Sequence, residues 1–361
     1  MIDWLTFVAP LQHQGGVHGP FFAGEVFSTV PDPTSPAGEI ADWSVMKRKG
    51  IEGSYSSAIQ VQSTVDELGR PALWVSGNPA KWFQGHNIFG SDDLAGLVRE
   101  MLHRVCASVG IVPAPEDVAL WDAGLIKLTR VDVTYSYQFG TLPRVRNALR
   151  SLDATAHLKH RGRGHFWGDS LTWGGKTSQR KGSRRSSLTM YAKGAEIEVP
   201  KHQLPHELQG TALVSFAQGL LRAEVRMLGM GLKEEHLEYV AYWGDNSAVE
   251  LHRGFLAGLT IAETTMLDAT VIDGLPPRLV GVYQLFLEGH DLRAIYPRRT
   301  FYRYRQELMA HGIDIAVKQS KHEPDTSNVI PLRTVLHGYP VSVPEWAAGT
   351  PLYFEPRFKV A

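Results

Sequence analysis

One cysteine, Cys106, stands in 361 residues, which leaves no disulfide framework and no cysteine-held metal site and suits a reducing compartment. Net charge is lacking as well. The chain carries 37 basic and 37 acidic residues, so it is not a polycation drawn as a whole to nucleic acid. No apolar run approaches the roughly 18 residues of a membrane span, no signal-peptide pattern opens the chain, and no internal repeat is present. A cytoplasmic protein is expected, with a sizeable core and two domains. The bulk composition, 43% hydrophobic and 20% charged, is that of an ordinary globular protein. The placement of charge is more telling. Between Lys159 and Lys193, nine Lys and Arg (159, 161, 163, 176, 180, 181, 184, 185, 193) stand against a single acid, Asp169.

Three segments far apart in the chain share a period-two pattern. They are Thr129–Tyr135, Leu188–Lys193 and Leu221–Met227, and each reads as a strand with one apolar face. Val131, Val133, Tyr135, Leu188, Met190, Ala192, Ala223, Val225 and Met227 form the apolar set. The opposite set is Arg130, Asp132, Tyr191, Lys193, Arg222, Glu224 and Arg226. If the three strands share a sheet, two carboxylates, a tyrosine and four cations meet on one surface. That is the inventory of a metal-assisted phosphoryl-transfer site with a tyrosine nucleophile. The plainer alternative is a solvated sheet face laced with ion pairs. Tyr135 and Tyr137 compete as nucleophiles, but the alternation turns them away from Asp132.

The rest of the chain predicts an α+β fold: a central antiparallel or mixed sheet with helices on one side. Met1–Pro10, Ser57–Gln62 and Ala72–Ser76 read as strands, and the proline-rich stretch 28–50 as a loop or insertion. Ser91 is the expected cap of a helix with Asp92 and Asp93 in its first turn. Leu94, Leu97, Val98, Met101, Leu102, Val105 and Val109 form its stripe, and Gly110 stops it. A second helix is expected over Leu142–Ala154. The Gly- and Arg-rich stretch from Arg161 to Ser187 reads as a basic loop leading into the Tyr191 strand. Gly174-Gly175-Lys176-Thr177 imitates the end of a phosphate-binding loop, but Ser170 stands where that motif requires glycine, so no ATPase is inferred.

A separate unit is expected from about residue 266 to the end, giving domains 1–265 and 266–361. Arg278–Glu288, a short connector, and a helix opened by Pro297 and running through Met309 outline a helix-turn-helix or winged-helix unit. The last helix carries Arg298, Arg299, Arg303 and Arg305 among Phe301, Tyr302 and Tyr304, a pattern that suits a DNA groove. A closing strand is expected at Asn328–Leu332, followed by an extended tail.

The run Gly77-Asn78-Pro79-Ala80-Lys81-Trp82-Phe83-Gln84-Gly85-His86-Asn87-Ile88-Phe89-Gly90, followed by Asp92-Asp93-Leu94, resembles the signature of the gene II-type replication initiators of filamentous bacteriophages. Met1–Leu5, the Arg130–Asp132 strand, Thr172-Trp173, Tyr191-x-Lys193 with Glu196, the Arg222–Arg226 strand, Pro297–Tyr304 and Asn328–Leu332 extend the resemblance over nearly the whole chain. The resemblance implies rolling-circle replication. Such an initiator nicks the plus strand at the phage origin, keeps the 5′ phosphate as a tyrosyl ester, leaves a 3′-OH and later rejoins the displaced strand. Host helicase and polymerase are the implied partners, with a homo-oligomer on the origin as a further expectation. Tyr191 is the expected nucleophile. Lys193 is expected to touch the phosphate or lower the tyrosine pKa, and Asp132, Glu224 and His86 to hold Mg²⁺ or Mn²⁺. Expected DNA contacts are Arg130, Arg222 and Arg226, then Arg161, Arg163, Lys176, Arg180, Lys181, Arg184 and Arg185 with Phe166, Trp167 and Trp173 interleaved, and finally Arg298, Arg299 and Arg303. The His-hydrophobic-His strand that holds the metal in many such enzymes is missing from the 15 histidines, so the metal site is expected to be carboxylate-rich. A non-catalytic origin-binding repressor and a nuclease using metal-activated water remain alternatives. Met266, Met227 or Met230 could open a shorter C-terminal product.

Overall fold

The computed structural model of the chain describes residues 1–12, 25–31, 40–46, 48–176, 181–261, 275–287, 290–311, 313–316, 336 and 338–356. Its strands are β1 (Ile2–Pro10), β2 (Glu25–Pro31), β3 (Ile40–Met46), β4 (Lys49–Glu52), β5 (Ala58–Val65), β6 (Pro71–Gly77), β7 (Lys127–Gln138), β8 (Ala156–Leu158), β9 (Gly162–Arg163), β10 (His165–Trp167), β11 (Ser170–Trp173), β12 (Ser186–Ala192), β13 (Leu220–Leu228) and β14 (Leu259–Ile261). The helices are α1 (Pro79–Gln84), α2 (Leu94–Val109), α3 (Pro115–Asp122), α4 (Leu142–Thr155), α5 (Lys193–Glu198), α6 (His206–Gln209), α7 (Ala212–Gln218), α8 (Gly229–Glu234), α9 (Ser247–Ala257), α10 (Pro277–Leu287), α11 (Leu292–Ile295) and α12 (Arg298–Met309). None of the described helices is long and apolar enough to cross a membrane.

Nine strands form one sheet in the order β10-β11-β12-β13-β7-β1-β6-β5-β4, every neighbour antiparallel. The three segments with the shared alternation are β7, β12 and β13, and they lie side by side. The core face of the sheet carries Leu5, Phe7, Val131, Val133, Leu188, Met190, Ala223 and Val225, all buried against stripes from α2 (Leu97, Val98, Met101), α4 (Val145, Leu149, Leu152) and α9 (Ala248, Leu256). The helices thus cover one face and leave the polar one for chemistry. A period of two in the strands and 3.6 in the helices is all that this division needs. Tyr135 and Tyr137 are on the core side. Their phenols are pushed up by burial, and the Tyr135 hydroxyl donates to Asp92 Oδ2 at 2.8 Å.

Several boundaries differ from the sequence reading. Residues 28–50 are not simply a loop: β2 and β3 pair into a two-stranded ribbon, and β4 closes the sheet edge. The α2 cap is Asp93, whose Oδ1 accepts from the Gly96 amide at 2.8 Å, while Ser91 Oγ accepts from the Asp93 amide at 3.1 Å one step earlier. Within the Arg161–Ser187 stretch, β10 and β11 make a hairpin joined to β12, so a loop reading gives way to ordered strands. The expected strand at Asn328–Leu332 and Met266 lie outside the described residues.

Helices α10 to α12 have their own small core of Leu279, Val282, Tyr283, Phe286, Leu292, Phe301 and Leu308. Residues 338–356 do not join it. They return to the sheet body, where the Val341 amide donates to the Ser136 carbonyl at 2.8 Å and Ala347 is buried with Ile88, Phe89, Leu213 and Leu220. Phe354 stacks on Phe83 at 4.1 Å between centroids, with the Arg104 guanidinium over both rings. This strap bears directly on the site.

Candidate active site

Strand register assembles the site. Across β12, β13 and β7, Tyr191 pairs with Arg222 and Arg222 with Ser136; Thr189 pairs with Glu224 and Glu224 with Thr134; Arg226 pairs with Asp132, and Asp132 with Trp4 of β1. Directly opposed residues project to the same face, so Tyr191, Arg222, Glu224, Arg226 and Asp132 occupy one patch. A register irregularity between Ile2 and Trp4 adds Asp3 from β1. Asp3 Oδ1 accepts from Asn78 Nδ2 at 3.0 Å and from Asn87 Nδ2 at 2.8 Å.

The carboxylates are crowded. Asp132 is almost fully enclosed, and its two oxygens take Arg130 Nε at 2.9 Å, Arg130 Nη2 at 2.5 Å and Arg226 Nε at 3.1 Å. Arg226 also reaches Glu224, donating from Nη2 to Oε1 at 3.1 Å, so one guanidinium bridges both acids. Glu224 is still pushed up to about 8, first by burial and then by Asp132 and Asp3; Arg226 and Arg130 only partly offset this. Arg130 is braced on its other side by the Trp4 ring, 4.8 Å from its centroid.

Tyr191 faces Arg222. That guanidinium is buried, donating from Nε to Ser136 Oγ at 3.3 Å and from Nη2 to the Ile88 carbonyl at 2.5 Å, while Nη1 makes no hydrogen bond of normal geometry. Burial pushes the Tyr191 phenol well above its usual value. Arg222 pulls it down, and Glu224, Glu196 and Asp3 push it up again. The phenol is therefore protonated, and only Arg222 favours its anion.

Lys193 is fully buried, but not as a strand neighbour of Tyr191. β12 ends at Ala192 and Lys193 opens α5. Its Nζ donates to Asn87 Oδ1 at 2.9 Å and pairs with Glu196. Burial, reinforced by Arg222, pushes the ammonium down to about 8. Asn87 thus ties Asp3 to Lys193.

The loop that carries Asn87 is shaped by its own sequence. Asn78 caps α1, accepting from the Lys81 amide at 2.8 Å. Gly85 ends α1 at a left-handed φ of 82°, and a Cβ there would lie 2.2 Å from the Tyr55 ring. The strap then holds the loop down. His86 Nε2 donates to the Leu352 carbonyl at 2.8 Å, the Phe354 amide donates to Gln84 Oε1 at 2.8 Å, and Gln84 Nε2 donates to the Phe89 carbonyl at 2.7 Å.

The expectation that His86 ligates a metal is corrected by this geometry. Nδ1 accepts from the Ile88 amide at 3.3 Å and Nε2 carries the proton given to Leu352, so no ring lone pair faces the carboxylates. Burial pushes its pKa down to about 4. Among the described residues no three His, Cys, Asp or Glu side chains converge as a ready metal shell. The donor set still suits a hard divalent cation: Asp132 and Glu224 share one arginine, and the like charges of Asp132 and Asp3 raise the Glu224 carboxyl.

The basic residues divide into two groups. Arg130, Arg222 and Arg226 belong to the site itself. Arg163, Lys176, Lys181 and Arg184 are exposed, Arg161 is half-buried with Nη2 on Ser186 Oγ at 2.8 Å, and Arg185 forks onto Glu234 at 2.7 and 2.9 Å. Arg180 lies outside the described residues. Of the aromatics in this stretch, Trp173 is core and Phe166 packs against it, whereas Trp167 is 80% exposed. On α12, Arg298, Arg299, Tyr302 and Arg303 are exposed; Arg305 instead is buried, with Nε on Asp314 Oδ1 at 2.6 Å.

Sequence reasoning did not assign Asp3, Asn87 or Glu196 to the site. Each sits inside a motif it quoted, and the signal available was the pairing of acids and amides in motifs far apart in the chain.

Comparison with known proteins supplies the family. The model describing the N-terminal part of the gene II replication-associated protein matches residues 1–246, and the one describing its C-terminal part matches residues 277–353. The gene II replication-associated protein of Enterobacteria phage I2-2 is 33% identical over 348 residues, covering 95% of each chain. The protein of that name from Enterobacteria phage M13 is 25% identical over 353 residues, covering 81% of this chain and 79% of its own. That of Salmonella phage IKe is 24% identical over 332 residues, covering 76% and 75%. No solved structure matches the chain. On the strength of both family matches and a one-third identity along almost its full length, the chain belongs to the gene II replication-associated proteins of filamentous bacteriophages.

Proposed function

We propose that the chain starts rolling-circle replication by nicking one strand of its phage origin, with Tyr191 as nucleophile. The single observation that carries this reading is the in-register convergence of Tyr191, Arg222, Glu224 and Asp132, with Asp3 and Lys193, on the polar face of one sheet. The Tyr191 Oη attacks phosphorus, the P–O3′ bond breaks, and the 3′ oxygen leaves as a hydroxyl once protonated. The phosphotyrosyl ester preserves the bond energy, so the reverse attack by a 3′-OH rejoins the strand without a nucleotide.

Arg222 has two tasks in this step. It favours the phenolate, and its guanidinium, set against the Tyr191 side chain, is a donor for a phosphate oxygen. Lys193, its ammonium pushed down to about 8 by burial, is the site cation best suited to exchange a proton with the reacting oxygens through Nζ. Asn87 and Glu196 hold that Nζ in place.

Asp132 and Glu224, bridged by Arg226, would hold Mg²⁺ or Mn²⁺. Bound there, the cation would neutralise the carboxylates that oppose the Tyr191 phenolate and offset charge on the scissile phosphate. In the structure Arg226 is the counterion that Asp132 and Glu224 share. Cutting that persists without a covalent link would favour the alternative of metal-activated water.

The flanking groups fit a DNA substrate. Arg298, Arg299 and Arg303 suit duplex contact, and Arg163, Lys176, Lys181 and Arg184 suit the strand beside the cut. Host helicase and polymerase, and self-association on the origin, belong to the same reading, as does a cytoplasmic location.

The deciding assay uses 5′- and 3′-labelled single-stranded origin DNA with Mg²⁺ or Mn²⁺. We expect a protein adduct on the 5′ phosphate that is lost in Tyr191→Phe. Cutting by Tyr191→Phe at the wild-type rate would move the nucleophile elsewhere.

A further inference from the structure

We infer that Trp167 is a stacking platform for an unpaired base of the cut strand, held on the nucleophile's own face of the sheet at a distance set by strand register. The inference rests on the nicking reading above. In β10, β11, β12 and β13 the pairs run Trp167 to Ser170, Ser170 to Tyr191, and Tyr191 to Arg222. Directly paired residues share a face, so the indole stands on the same side as the Tyr191 ring, two strands away, or about 10 Å. The neighbours agree with this sidedness. Phe166 and Leu171 point to the core, and His165 and Thr172 lie on Trp167's side.

Three features distinguish this tryptophan from a stray surface residue. It is 80% exposed, while Trp173 of the same hairpin is 1% exposed. Its position is braced: the hairpin turn has Gly168 at φ 57°, and Asp169 takes a two-pronged ion pair from Arg146 of α4, both bonds 2.9 Å. The Asp169 carbonyl also accepts from the Ala192 amide at 3.1 Å, next to the nucleophile. Finally, Ser170 between Trp167 and Tyr191 is too short to fill the gap. A base about 3.4 Å thick fits on the indole with its phosphate turned toward Tyr191.

The surroundings select the occupant. Asp169, in the turn beside Trp167, is neutralised by the ion pair with Arg146, so it does not repel a phosphate there. A flat, 80% exposed aromatic surface on the nucleophile's face suits a single strand with exposed bases. It suits a duplex poorly, because there the bases are already stacked on one another. The base concerned belongs to the nucleotide one or two positions from the scissile phosphate.

The test compares wild type, Trp167→Ala and Trp167→Phe by anisotropy with labelled single-stranded origin oligonucleotides, and by cleavage kinetics on the same strands. An abasic site is moved one nucleotide at a time across the cut. We expect Trp167→Ala to weaken binding and raise KM about 10-fold with kcat nearly unchanged, and Trp167→Phe to restore most of the loss. The abasic site should reproduce the loss in wild type at one position only, and at that position Trp167→Ala should add nothing. Duplex affinity should not change. Equal binding and KM for wild type and Trp167→Ala would overturn the platform while leaving the nicking reading intact. Wild type that binds with this one-position dependence yet never cuts would overturn the nicking reading and keep the platform. Wild type that neither binds nor cuts the strand would overturn both.

Discussion

Glu224→Gln separates a working site from an ornamental ion-pair network. Glu224 is 14% exposed, and burial with Asp132 and Asp3 nearby raises its carboxyl from 4.5 to about 8. The acid therefore ionises more readily in the unfolded chain than in the fold. Below about pH 4.5 the group is protonated in both states and costs nothing. As pH rises toward about 8 the fold loses stability relative to the unfolded chain. At pH 7 the difference spans about two and a half pH units, or about 3 kcal/mol. Glutamine keeps the shape and still accepts from Arg226 Nη2 while removing the charge. Metal-free Glu224→Gln should thus be about 1–3 kcal/mol more stable than wild type at pH 7, with the gap closing at about pH 4.5. Urea denaturation in chelator measures both. Adding Mn²⁺ should stabilise wild type and not the variant, and the variant should form no adduct with origin DNA. A variant less stable than wild type by about 1 kcal/mol or more at pH 7 would refute the reasoning: the Arg226 pair would then outweigh the crowding, and the acids would be structural.

Other expectations follow from separate parts of the molecule. His252, buried with Nε2 on the Ala223 carbonyl at 3.0 Å, has its pKa pushed down to about 4 by burial; Tyr135, Tyr137, Asp92 and the Met1 amine surround it. Its neutral form stabilises the fold fully above about pH 6.5, and that contribution, about 3 kcal/mol, is lost as pH falls toward 4; His252→Gln should flatten the acid limb of a stability–pH curve. Asn87→Ala should cost about 2–4 kcal/mol by unfolding titration, because it strips a partner from both Asp3 and Lys193. Phe354→Ala removes the ring stacked on Phe83 and should lower stability by about 2 kcal/mol in calorimetry. Replacing Arg298, Arg299 and Arg303 together by Gln should reduce the slope of log K against log salt for duplex origin DNA by about 2.7, leaving single-strand cutting intact.

Much of this protein is legible in short stretches of its chain. Alternation in Arg130–Tyr135, Leu188–Tyr191 and Arg222–Met227 is enough to sort core from chemistry, because a strand's side chains have only two directions to take. The stripe from Leu94 to Val109 and the left-handed Gly110 likewise follow from local rules. What lies beyond such reading is everything set by register and by distant packing. Alternation places Lys193 on a strand, whereas the chain turns into α5 there and Lys193 reaches the site from a helix. His86 reads as a ligand because its Gln84–Asn87 loop follows a strand, where sites usually form; both its nitrogens are in fact spent on Ile88 and on Leu352, the latter 266 residues away. Asp3 enters only through an irregularity in the β1–β7 pairing, and the strap at 338–356 finds its place through apolar surface on Phe83 and Phe89 that no local pattern announces. Local stereochemistry is written residue by residue. Which strand lies beside which, and which buried donor meets which acceptor, depends on the whole chain closing on itself, and so it emerges only in the folded molecule.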